Sequence, residues 1–89
     1  MLSLRRLERH MKGAASRRRI AILLLLETKP GLSLLEIAEQ LKWNIKTTAE
    51  HVRRLALAGL ISKGHHTSFV PHKLTPRGRQ VLQFLRKLE

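Results

Sequence analysis

The chain has 89 residues, enough for one small domain, and carries 18 Lys and Arg against 6 acids, a formal net charge of +12. It contains no Cys, no Asp and no Tyr, which excludes a disulfide framework, a thiolate zinc site, a cysteine nucleophile, a Ser-His-Asp triad and any Asp-based magnesium or calcium site. The hydrophobic share of 43% is too high for a disordered basic tail, so the composition describes a compact basic module whose expected partner is a polyanion.

Leu4, Leu7 and Met11 recur on a helical period, with Arg5, Arg6, Arg9 and Lys12 elsewhere, which predicts a helix over 2–12 stopped by Gly13. Ser16 is a candidate N-cap for a second helix over about 17–28. Its apolar run 20–26 surrounds the helix nearly completely, the pattern of a helix at the centre of a small bundle. That run is far short of the roughly 20 residues needed to span a bilayer. No apolar segment follows the basic start to make a signal peptide, so the cytoplasm is the expected location. Lys29, Pro30 and Gly31 end the second helix.

Ser33 followed by Glu36 is a capping box, predicting a third helix over 34–41 with Leu34, Leu35, Ile37, Ala38 and Leu41 available to the core. Lys42 and Trp43 make a short turn, and Asn44 caps a fourth helix over 45–58 that stops at Gly59. Residues 60–63 read as a strand, 64–68 as a turn, and 69–74 as a returning strand in which Pro71 needs an edge or a bulge. Thr75 and Pro76 open a last helix over 76–88, with Val81, Leu82, Leu85 and Leu88 as its apolar side. The expected fold class is mostly α with a small β-hairpin, an α+β order of α-α-α-α-β-β-α.

Two short helices joined by a tight turn, the second strongly capped, follow helix-turn-helix logic. At about 100° per residue, with Thr48 inward, Ile45, Val52, Leu55 and Gly59 lie near the inward direction. Lys46, Thr47, Glu50, Arg53 and Arg54 form the outer face, and Leu57 also points outward. His51 lies on the border and is expected to pack. The charge distribution agrees with an outer face that meets phosphate. Residues 51–88 hold eight basic side chains and no acid.

At these residues the chain resembles a known group. The stretch Leu34-Leu35-Glu36-Ile37-Ala38-Glu39-Gln40-Leu41 looks like the "ELAEELG" helix of winged helix-turn-helix transcription regulators. The stretch from Asn44 through Thr47, Thr48, His51 and Val52 to Leu55 looks like their recognition helix. Ala58-Gly59-Leu60-Ile61 looks like the "AGLV" that leads into the wing, and Leu74-Thr75-Pro76-Arg77-Gly78-Arg79 like the "LTxxGR" after it. The nearest groups in pattern are ArsR and MarR.

The resemblance implies a winged helix-turn-helix domain over 16–89, preceded by a helix or arm over 1–15 with a dimer contact. It implies sequence-specific binding of double-stranded DNA as a transcription regulator, by occlusion or recruitment at a promoter and with no cofactor. Helix 45–58 would enter the major groove, with Lys46, Thr47 and Glu50 toward the bases and Arg53 and Arg54 nearer the phosphates. The wing over 63–73 would place Lys63, His65, His66 and Lys73 on the backbone or in the minor groove. Two departures matter. Ala49 stands where many relatives have Ser, and Thr48 replaces an apolar residue, so its hydroxyl needs a backbone partner.

One helix reads few base pairs, so a homodimer is expected, with Leu2, Leu4, Leu7 and Met11 against Leu82, Leu85 and Leu88, unless these simply finish the monomer core. Arg17, Arg18 and Arg19 crowd a helix start, where cations are unfavourable, which favours a phosphate-binding role for Arg17 and Arg18. His65, His66 and His72 have a metal-ligand reading, but neutral polar groups near phosphate are the simpler assignment and no metal site is expected. Trp43 is expected as a core plug, and Phe69 as core. Ser33 and Glu36 are explained by the capping box, and no nucleophile elbow or P-loop is present, so an enzyme is not expected. The alternative function is a nucleic-acid or chromatin protein without sequence preference, or a winged-helix protein-interaction module.

Overall fold

The computed structural model describes residues 15–64 and 70–87. The predicted helix over 2–12, the histidines His65 and His66, Phe69 and Leu88 lie outside them. Helix α1 spans Ala15–Thr28. It begins earlier than its capping pattern predicts, so Ser16 sits inside the helix rather than capping it. Ala15, the strongest helix-forming residue type, extends the first turn past the serine. Ile20, Ile22, Leu23 and Leu26 are buried, and α1 packs against three other elements at the centre of the domain. Its burial is not all round, because Leu24 faces solvent.

Helix α2, Leu34–Leu41, begins with both halves of the capping box. The Glu36 N–H donates to Ser33 Oγ at 3.1 Å, and the Ser33 N–H donates to Glu36 Oε1 at 2.9 Å. Lys42 ends the helix in a left-handed conformation, φ 58°, and turns the chain toward α3, Ile45–Leu57. Asn44 caps α3 by accepting from the N–H groups of Lys46 at 2.8 Å and Thr47 at 3.4 Å. Because the Ser33 hydroxyl satisfies the otherwise orphaned amide of Glu36, Ser33→Ala is expected to cost about 1 kcal/mol, or about 4–8 °C in Tm. An unchanged melting curve would mean that tertiary packing alone holds the start of α2.

Strands β1, Ile61–Lys63, and β2, His72–Leu74, pair antiparallel in the register Ile61 to Leu74, Ser62 to Lys73 and Lys63 to His72. Both are shorter than their patterns predict. Pro71 lacks an amide for the ladder and stays just outside β2, where its carbonyl accepts from Gly64 N–H at 2.8 Å. A third segment joins them. The Gly31 N–H donates to His72 O, and the His72 N–H donates to Leu32 O, both at 2.9 Å.

Helix α4, Pro76–Lys87, is fastened to the end of α3 by Thr75. The Thr75 hydroxyl accepts from Gly78 N–H at 3.0 Å and donates to Gly59 O at 2.6 Å. Gly59 itself takes φ +76°, as a residue just past a helix end often does. On the far side, Arg86 forms a two-point ion pair with Glu27 of α1.

The core comprises Ile22, Leu23, Leu26, Ile37, Val52, Leu55, Ile61, Leu74 and Leu82, with Trp43 packed against it as a partly buried plug. Thr48 is fully buried, and its hydroxyl finds the required backbone partner in Asn44 O at 2.9 Å. Two residues expected inside are not. Leu35 is 54% and Ile45 44% exposed. Both lie in the first turn of their helices, which projects past the core. There they line an open apolar groove together with Leu34, Val70 and the stem of Lys63. Leu82 and Leu85 of α4 are buried within this chain, as expected if they finish the monomer core.

Candidate nucleic-acid interface

Past its first residue, Ile45, which is exposed, α3 divides its faces as the 100° rotation predicts. Thr48, His51, Val52 and Leu55 are buried. Lys46, Glu50, Arg53 and Arg54 are exposed and Thr47 is half-buried. Leu57 extends the exposed side and is 74% accessible.

The outer face is organised around one carboxylate. Glu50 Oε1 accepts from Arg53 Nη2 and from Arg54 Nε, each at 2.8 Å, and Glu50 Oε2 accepts from Arg53 Nε at 3.1 Å. Spacings of three and four residues put all three side chains on one helical stripe. Hydrogen bonds from Arg53 and Arg54 hold the Glu50 carboxyl down to about 2, and Glu50 in turn raises the Arg53 guanidinium. Glu50 is therefore charged, and acceptor-only, at any physiological pH.

The arginines at the start of α1 face the same helix-turn-helix unit. Arg18 lies over the Trp43 ring, 5.5 Å from its centroid, a cation–π contact at the turn between α2 and α3. Arg19 Nε donates to His51 Nδ1 at 3.4 Å, which puts the ring proton of His51 on Nε2. Arg17, just before Arg18, is exposed. These ties to Trp43 and His51 are not visible in the sequence. They join residues 25 and 32 positions apart, and only a helix angle on α1 combined with the turn geometry would have found them.

Lys63 and Lys73 are exposed on the two strands. Lys63 lines the same groove as Ile45, so the root of the wing and the first turn of α3 open on one side of the domain. His72 turns inward instead, and its Nδ1–H donates to Leu32 O at 2.9 Å. Phe84 on α4, absent from the predicted apolar side of that helix, is 61% exposed.

Burial lowers the pKa of both described inward histidines from the ordinary 6.5. For His51 the charges of Arg19 and Arg18 add to the effect; for His72 the bond to Leu32 opposes it. A base whose folded pKa is depressed binds more protons when unfolded. Stability is therefore complete above about pH 6.5 and falls as the pH drops through that value toward the folded pKa. Denaturation midpoints should decline between about pH 7.5 and about pH 5.5. A flat profile over that range would contradict the neutral assignment of both rings.

Among the described residues, no helix is long and apolar enough to cross a membrane. Comparison with protein families matches residues 16–62, more than half of the chain, to winged helix-turn-helix DNA-binding domains. No curated protein sequence matches. Solved structures share the fold. A MarR family protein from Bacillus stearothermophilus is 18% identical with a TM-score of 0.72, over 79% of this chain and 50% of that one. BpsR from Bordetella bronchiseptica is 23% identical with a TM-score of 0.72, over 83% and 53%. The transcriptional regulator BldR from Sulfolobus solfataricus is 26% identical with a TM-score of 0.67, over 79% and 55%. The chain thus spans about half the length of the structures it matches.

Proposed function

The chain belongs to the winged helix-turn-helix DNA-binding family, and from that premise we propose that it is a sequence-specific regulator of transcription that places α3 in the major groove of duplex DNA. The observation that carries this reading is the outer face of α3. Lys46, Thr47, Glu50, Arg53 and Arg54 project from a helix whose other side is locked into the core. Lys46, Thr47 and Glu50 sit toward the helix start, where base edges are read, and Arg53 and Arg54 lie nearer the phosphates. Lys63, His65, His66 and Lys73 of the wing segment 63–73 add backbone contacts, and Arg17 and Arg18 add contacts from α1. Action is in the cytoplasm, on DNA, without catalysis.

A homodimer on a two-fold related site completes the reading, with residues 1–15 as an arm or helix at the dimer contact and 16–89 as the reading domain. Since Leu82 and Leu85 serve the core, exposed Phe84 of α4 and Leu24 of α1 are candidates for that contact.

The net charge of +12 favours a second reading, binding of nucleic acid without sequence preference. Selection from a randomised duplex pool at about 150 mM salt separates the two. A regulator enriches a palindrome with half-sites about one helical turn apart and prefers it about a thousandfold over random duplex. Tight binding with no enriched sequence would establish the second reading, and no binding would exclude both.

A further inference from the structure

We propose that Glu50 is the specificity-determining residue of the interface: its carboxylate holds Arg53 and Arg54 off non-cognate phosphate and is itself satisfied on DNA by the exocyclic amine of a cytosine. The inference rests on the reading of α3 as the major-groove helix.

Three observations carry it. Glu50 is the only acid between residues 40 and 88, and it stands in the middle of the exposed cationic face. Its position is therefore a local inversion of charge in the half of the chain otherwise built to meet polyanion. Second, it binds both arginines at once, through three hydrogen bonds of 2.8 to 3.1 Å. Two guanidiniums and one carboxylate leave a single net positive charge where two would otherwise face the backbone. Third, the bonds are unevenly shared. Oε1 receives two N–H groups and Oε2 one. A carboxylate has about four acceptor positions, so one lone pair of Oε2 stays open to the outside.

That open position discriminates by chemistry. A phosphate oxygen only accepts hydrogen bonds and is repelled by the carboxylate. A base edge with an N–H donor fits it. In the major groove, cytosine N4 is the donor that acidic side chains characteristically meet. Non-cognate duplex must therefore draw the arginines away from Glu50 without replacing their bonds. Duplex with cytosine at this position supplies the missing donor and leaves the arginines oriented.

The test compares the full chain with its Glu50→Gln and Glu50→Ala variants, using random-sequence duplex and a randomised pool as probes. Glu50 is exposed, and melting curves check that the variants remain folded. Both variants should bind random duplex about fivefold more tightly at about 150 mM salt, the gain from one more phosphate contact. The slope of log affinity against log salt should steepen by about one. In the selected pool, the cytosine position required by the parent chain should relax in the Glu50→Ala variant, which has no side-chain acceptor left. Unchanged or weaker binding to random duplex would overturn the proposal and leave Glu50 as a strut for its arginines. Failure of the parent chain to bind any duplex would overturn the major-groove reading and this inference together, whereas parent binding with indifferent variants overturns the inference alone.

Discussion

Gly78→Ala should be the most destabilising small substitution in the domain. A Cβ at this position would lie 2.1 Å from the carbonyl oxygen of Leu60 and 3.2 Å from its carbonyl carbon. The obstacle is backbone, and that backbone is held in place. Leu60 O accepts from Thr75 N–H at 3.1 Å, while Thr75 Oγ1 bonds Gly59 O and Gly78 N–H. Relief of the clash therefore requires moving the start of α4 away from the end of α3 and breaking this junction. The expected loss is about 3 kcal/mol or more, at the upper end for overpacking. In a domain of this size that corresponds to about 12–24 °C in Tm. Gly59→Ala is the informative control. There the near neighbour is the tip of the exposed Arg77, 3.2 Å away and held only by a 3.4 Å bond from Nη1 to Ala58 O, so the cost is mainly that of the left-handed backbone, about 1–2 kcal/mol. Thermal melts followed by circular dichroism should rank the two variants clearly. Equal losses would mean that the α3–α4 junction yields to the added methyl.

Removing Arg53 and Arg54 together should produce the largest effect on DNA binding. The trio with Glu50 carries one net positive charge, and the Arg53→Ala, Arg54→Ala double variant leaves a bare carboxylate facing phosphate. The change is equivalent to two phosphate contacts. Affinity at about 150 mM salt should fall by about thirtyfold, and the salt slope should flatten by about two. Adding Glu50→Gln to the double variant should recover about one unit of that slope, although the combined variant has no arginine left on this stripe. Anisotropy titrations across a salt series measure all of these quantities. If the third substitution recovers nothing, Glu50 does not act through charge at the interface. If the double variant binds like the parent chain, α3 does not dock by this face.

The helices from 15 onward, and the caps at Ser33, Asn44 and Thr75, were legible because they depend on short-range chemistry. Ser33 with Glu36, Asn44, and Thr75 with Pro76 each act within four residues, and all three mark helix starts in the structure. The buried side of α3 was legible for the same reason, since one rotation angle orders Thr48, Val52 and Leu55. Helix ends and long-range pairings were less visible. Ile45 and Leu35 have the right period for burial, but their place in a projecting first turn decides their exposure. The bridge made by Leu32 has no local pattern at all, because a single residue pairs across 40 positions with His72. In the interface, the residue types on α3 could be read from the sequence. The joint capture of Arg53 and Arg54 by one carboxylate could not, since spacings of three and four permit either ion pair alone. Arg18 and Arg19 likewise read as a cationic cluster, whereas their partners Trp43 and His51 come from other helices.

The bridge between Leu32 and His72 separates recognition from architecture. The segment leading into α2 and the second strand of the wing are joined through main-chain amides and carbonyls of Gly31, Leu32 and His72. Such bonds are blind to side-chain identity everywhere except at proline. This joint, which also includes the bond from the His72 ring to Leu32 O, is thus made by groups that substitutions on the outer face of α3 do not touch. Lys46, Thr47 and Glu50 can be exchanged as a set while the frame that presents them keeps its shape. On the proposed docking of α3, a library confined to those three positions should yield folded proteins of altered sequence preference.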